Sequence, residues 1–109
     1  MSLAAAWREP EAWQGSAMIR GTSTPARVLG LVVLDEMVVH GWDIAVAAGR
    51  IYEVTDAEIE ALIPFVSRTS AKRDGSLFGP VVEVPPGASP LDRLLGLAGR
   101  DPSWKPAPR

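Results

Sequence analysis

The chain has 109 residues, of which 47% are hydrophobic and 22% charged, with a net charge of −2. That length supports at most one small domain with a modest core, and the balance is that of a globular chain, not a disordered or fibrous one. The charge gives no electrostatic reason for nucleic acid or acidic lipid as a partner. The absence of cysteine excludes disulfides, cysteine zinc sites and thiol nucleophiles within the chain.

In chain order, the opening MSLAAAWREP has neither a basic leader nor a long apolar run, so no secretory signal is expected. Residues 3–13 begin with good helix formers and then meet Pro10, which a helix interior tolerates badly, so a short helix is predicted. Residues 14–25 turn to Gly, Ser and Thr with no helical period and read as a loop, with a short extended piece over 17–20. Thr24 is the predicted N-cap, and Pro25 the first-turn proline, of the helix that follows.

That helix, predicted over residues 26–48 and closed by Gly49, organises the chain. Its stretch LVVLDEMVVHGWD, residues 31–43, is apolar apart from Asp35, Glu36, His40 and Asp43, and His40 is the sole histidine. At about 100° per residue, Glu36 and His40 stand one turn apart on one side, with Asp43 a further turn along and Val32 and Ala47 continuing the stripe. Leu31, Leu34, Val38 and Ala45 make the other side apolar too, which is the pattern of a buried central helix or an interface helix. The polar stripe is therefore expected to face inward, toward a shared cavity. Buried carboxylates and an imidazole need partners, either a divalent metal or each other. Gly41 inside this helix costs about 1 kcal/mol relative to alanine and leaves room either for a packed neighbour or for a ligand. The apolar run is interrupted by Asp35 and Glu36 and falls short of the roughly 20 residues a membrane span requires, so a soluble, cytoplasmic protein is expected.

Residues 51–54 form a short crossing segment. Thr55-Asp56-Ala57-Glu58 has the form of a capping box, and Ile59, Leu62, Ile63 and Val66 follow at helical spacing, predicting a helix to about residue 70 with Pro64 kinking it. A charged turn, AKRDGS, covers residues 71–76. The three prolines Pro80, Pro85 and Pro86 make residues 77–86 an extended strap and not a paired strand. Ser89 as cap and Pro90 in the first turn open another helix, with Leu91, Leu94, Leu95 and Ala98 inward and Gly99 at its end. The polar tail, residues 101–109, is expected to be pinned by Trp104. The predicted fold is all-α: one small domain over 1–109 with a long central helix, two or three shorter ones and the strap.

The run VVLDEMVVHGWDIAVAAG, from Val32, resembles the DinB-like, mycothiol-dependent maleylpyruvate isomerase metal-binding family. The segment FGPVVEVPPGASPLDRLLGLAGRDPSW, from Phe78 to Trp104, is similar to the C-terminal region of the family's actinobacterial members. The string Glu-x-x-x-His-Gly-Trp-Asp, followed by the ending Leu97-Ala98-Gly99-Arg100-Asp101-Pro102, carries the resemblance. It implies a four-helix bundle holding a divalent metal, zinc or nickel, with Glu36 and His40 as ligands and Asp43 as a substitute ligand or a group behind them. It further implies a low-molecular-weight thiol (mycothiol, bacillithiol or glutathione) as cosubstrate, and an isomerase or S-transferase in which the metal activates the thiol. In such an isomerase the thiolate adds to a conjugated double bond, rotation follows, and the thiol leaves. No residue of this chain is assigned a catalytic role.

The chain departs from the family at the first ligand, a histidine on an earlier helix, since none precedes His40 here; family members are also longer. Either the chain is a fragment or truncated homologue corresponding to the C-terminal half, or two copies associate as a homodimer to rebuild the bundle. The reading of another class is a non-catalytic helical dimer or interaction module.

Overall fold

The computed structural model describes residues 2–71 and 78–108. The described residues are mostly helical, with four α-helices and one two-stranded sheet, so the structure departs from the all-α expectation by that sheet. Two compact units are present, Met1–Leu34 and Asp35–Arg109.

In the first unit, α1 (Leu3–Arg8) starts where the Ser2 hydroxyl accepts from the Ala5 amide at 3.1 Å. Pro10 then opens a 3-10 turn, Pro10–Trp13, as its missing donor requires. The Trp13 indole N–H donates to the Trp7 carbonyl at 2.8 Å, and the two rings lie 4.9 Å apart. The Trp13 ring lies over Gly30, where a methyl group would collide with it. Between them the expected extended piece over 17–20 is one strand of a hairpin, and the rest of the expected loop supplies the other: β1 (Ser16–Ile19) pairs antiparallel with β2 (Thr22–Pro25), from Ser16 opposite Pro25 to Ile19 opposite Thr22. Its two turn residues, Arg20 and Gly21, have φ of 49° and 79°, the positive pair that matches strand twist in a tight hairpin. Pro25 therefore closes β2 instead of opening the helix, and the Ala26 amide donates to the Gly15 carbonyl at 2.9 Å.

Helix α2 (Ala26–Ala47) runs unbroken. It ends as its Gly49 demands: with φ at 67°, Gly49 lets its own amide reach Val46 O at 3.1 Å and the Arg50 amide reach Ala45 O at 2.8 Å.

In the second unit, α3 (Asp56–Ala71) continues through Pro64 and packs against α4 (Pro90–Leu97). Of the predicted inward residues, Ile59, Leu62, Val66, Leu94, Leu95 and Ala98 are buried and Ile63 and Leu91 half-buried, with Val38 and Val39 of α2 also in the core. The Thr55 hydroxyl accepts from the Glu58 amide at 3.2 Å, and the Glu58 carboxylate accepts from that hydroxyl at 2.8 Å. The strap survives as irregular chain from Phe78: the Val82 amide donates to Gly96 O at 3.0 Å, and a methyl at Gly96 would meet Val82 O and Val84. Leu77 and the turn over 72–76 lie outside the described residues. Trp104, expected to pin the tail, is 48% exposed, in a local turn where its amide donates to Asp101 O at 3.0 Å. No helix among the described residues is long and apolar enough to cross a membrane.

Candidate functional site

The one-turn spacing of α2 places His40 between two carboxylates. Its Nε2 lies 3.1 Å from Glu36 Oε2 and its Nδ1 lies 3.1 Å from Asp43 Oδ2. The expected direction is corrected here: the His40 and Glu36 side chains are 58% and 61% exposed, so the stripe faces outward on this chain. The reason is the helix itself. Being apolar nearly all round, α2 can turn either side to the core, and Val38 and Val39 take that place while Met37 and Ile44 share the exposed side with His40.

Asp43 is held from far along the chain. Arg100, 57 residues on, donates from Nε to Oδ1 at 3.1 Å and from Nη2 to Oδ2 at 2.7 Å. This two-pronged pair matches the planar guanidinium to the carboxylate. The end of α4 aims it: Gly99, with φ at 82°, closes that helix while the Arg100 amide donates to Leu95 O at 2.8 Å, and Arg100 Nη1 donates to Ala98 O at 2.9 Å. The Arg100 guanidinium holds the Asp43 carboxyl below the ordinary carboxylate range, with a smaller contribution from His40, while Asp43 raises Arg100 in turn. Sequence reasoning named Arg100 only within an ending motif; its pairing with Asp43 had no local signal.

Asp35 is the buried member of the set, 6% exposed, with no hydrogen-bond partner for Oδ1 among the described residues. Burial, and then the neighbouring Glu36 charge, push its carboxyl up to about 6 against the opposing pull of Arg100 and His40. Gly41 is accounted for by a packed neighbour: the Tyr52 hydroxyl lies where a side chain at 41 would go, donating to Val38 O at 2.8 Å. Trp42 is half-buried. A separate open groove of about 610 Å³ lies where α3 and α4 begin, lined among others by Tyr52, Thr55 and Ser89.

The separation of Glu36 and His40 is that of a hydrogen-bonded pair, and it also lies within the spacing of two donors on one metal ion. Donor atoms about 2.0–2.2 Å from a zinc ion and at right or tetrahedral angles lie roughly 2.9–3.5 Å apart, and Glu36 Oε2 and His40 Nε2 are separated by 3.1 Å. Asp43 fits less well, since both of its oxygens already accept from Arg100. Among the described residues no group of three or more His, Asp or Glu side chains is placed to hold a metal ion. One chain therefore brings together a carboxylate and an imidazole, and not a full coordination shell. No family model, curated protein or solved structure matches the chain.

Proposed function

We propose that this chain is a DinB-like, metal-binding helical protein related to the mycothiol-dependent maleylpyruvate isomerases, acting with a low-molecular-weight thiol as an isomerase or S-transferase. The observation that carries the reading is the Asp43–Arg100 pair. The two stretches that resemble the family, the one ending HGWD and the one ending GRDP, meet in space at these two residues, directly beside Glu36 and His40. In the proposed site Glu36 and His40 hold the metal, zinc or nickel, and Asp43 sits behind His40 instead of on the metal. A divalent cation bound there supplies Lewis acidity that makes a bound thiol nucleophilic at neutral pH.

The remaining ligands come, in this proposal, from a second copy that completes a four-helix bundle. Its support is the exposed side of α2, where Met37 at 64% and Ile44 at 72% exposure flank His40 one turn either way. A twofold contact there is self-complementary and brings two Glu36 and His40 pairs to one interface. The same face supports the alternative, a non-catalytic helical dimer or interaction module.

Metal content and oligomeric mass, measured together after purification without chelator, separate the readings. About one zinc or nickel ion per two chains is expected for a shared four-ligand site, and His40→Ala should remove it while leaving the helical circular dichroism unchanged. A metal-free dimer would leave the interaction module alone standing. A metal-free monomer removes both readings.

A further inference from the structure

We infer that Arg100 is a positioning residue for His40: by clamping Asp43 it keeps the ring proton on Nδ1 and turns the Nε2 lone pair toward Glu36. A neutral imidazole carries a single N–H, so it can donate to only one of its two carboxylate neighbours. The two neighbours are unequal. Asp43 is fixed by two bonds from Arg100, and Arg100 is itself fixed by its donation to Ala98 O and by its backbone bond to Leu95. Glu36 is 61% exposed; among the described residues its only ion pair is with His40, and Asp35 and Arg100 act on it through charge without a bond that fixes it.

The proton therefore belongs between Nδ1 and the fixed carboxylate, the arrangement that commonly sets the tautomer of a histidine whose other nitrogen serves as base or ligand. Nε2 and Glu36 Oε2 then face each other as two acceptors 3.1 Å apart. Two acceptors so placed repel unless a proton or a cation lies between them. Arg100 thus acts at a distance, through Asp43 and the ring, on the one edge of the imidazole where a cation fits. The cation rests on the reading proposed above; the tautomer does not, being a property of the metal-free chain.

His40 is the sole histidine, so a two-bond ¹H–¹⁵N spectrum contains one imidazole. It is recorded on the metal-free protein over a rising pH series, at the alkaline plateau where the imidazole signals no longer move. The wild type should show Nδ1 protonated. Asp43→Asn should switch the major form to Nε2–H: Asn has one acceptor oxygen, which Arg100 takes, leaving its amide N–H to face Nδ1. Arg100→Gln should shift the ring the same way, and Arg100→Lys should restore the wild-type form only in part, because an ammonium lacks the two-pronged fit. Since Arg100 also ties the end of α4, circular dichroism of each variant is compared first, and Asp43→Asn decides if Arg100→Gln unfolds.

Zinc titration provides the second readout, with affinity falling about 10–100-fold in Asp43→Asn. A wild-type ring protonated on Nε2, or a tautomer unchanged by Asp43→Asn, overturns the inference. The expected tautomers without zinc binding would uphold the positioning role and sink the metal reading. Equal zinc affinity in wild type and Asp43→Asn would sink the claim that Arg100 acts on the cation-binding edge of the ring, while the metal reading stands.

Discussion

A carboxyl group shut away from water with one oxygen unpartnered is a cost whenever it is ionised, and among the described residues Asp35 is such a group. Its folded-state pKa, about 6 against an ordinary 3.8, means the folded chain holds that proton more tightly than the unfolded one. Stability from this group is therefore full below about 3.8, falls as pH rises toward 6, and is level above it. Two pK units correspond to roughly 3 kcal/mol. Urea unfolding of the metal-free protein should show Asp35→Asn matching the wild type near pH 4 and exceeding it by about 1–3 kcal/mol at neutral pH. A wild type whose stability does not fall across that window relative to Asp35→Asn would contradict the burial of this acid. At the same scale, Gly41→Ala should lower stability by about 1–3 kcal/mol despite the helix-propensity gain of about 1 kcal/mol, because the new methyl meets the Tyr52 hydroxyl. Adding Tyr52→Phe removes the nearest atom, so the double variant should recover part of the loss in thermal unfolding. A strictly additive double variant would mean that the two do not touch.

At the scale of elements, the helix ends do more than stop helices. The glycine closing α4 turns the chain so that the next residue, Arg100, reaches Asp43, and the cap is thus part of the site. The strap depends on the same helix: Gly96 has no side chain, and the strap backbone passes at Val82 where one would stand. Gly96→Ala should push the strap off α4, raising hydrogen exchange at the Val82 amide, whose only described acceptor is Gly96 O. An unchanged Val82 exchange rate in a folded Gly96→Ala protein would place the strap elsewhere. At the start of α3, Thr55→Ala removes the acceptor for the Glu58 amide and should cost about 1 kcal/mol in urea unfolding, with Thr55→Ser recovering most of it.

For the molecule as a whole, the feature to explain is an apolar side of α2 left in water. Met37 and Ile44 are both more than half exposed, on the side that also carries Glu36 and His40, and the proposed second copy would cover them. Sedimentation or light scattering should report a dimer, and Ile44→Lys should shift it toward monomer without loss of helix content, since Ile44 contributes nothing to the buried core. A chain that is monomeric at all concentrations before the substitution removes the second copy from the proposed site.

The sequence by itself determined the helices and most of their ends, the start of α2 excepted, where Pro25 closes a strand. Thr55 and Ser89 cap where their hydroxyls suit, Gly49 and Gly99 close where a left-handed residue is needed, and Ile59, Leu62, Val66, Leu94, Leu95 and Ala98 go inside. These are local matters of hydrogen bonding and period, written within a few neighbouring residues. The hairpin escaped notice because SAMI and TSTP carry no alternation of apolar and polar residues, and only the Arg20-Gly21 turn signalled it. The spacing of Glu36, His40 and Asp43 was legible, but their direction was not, because a helix apolar all round does not encode which side faces the core. Only the tertiary structure decided that, and with it the long-range facts: Arg100 on Asp43, Tyr52 over Gly41, and Asp35 buried while its neighbour Glu36 lies in solvent. Contacts between residues far apart in the chain depend on where whole elements come to rest, and no short window of sequence contains that information.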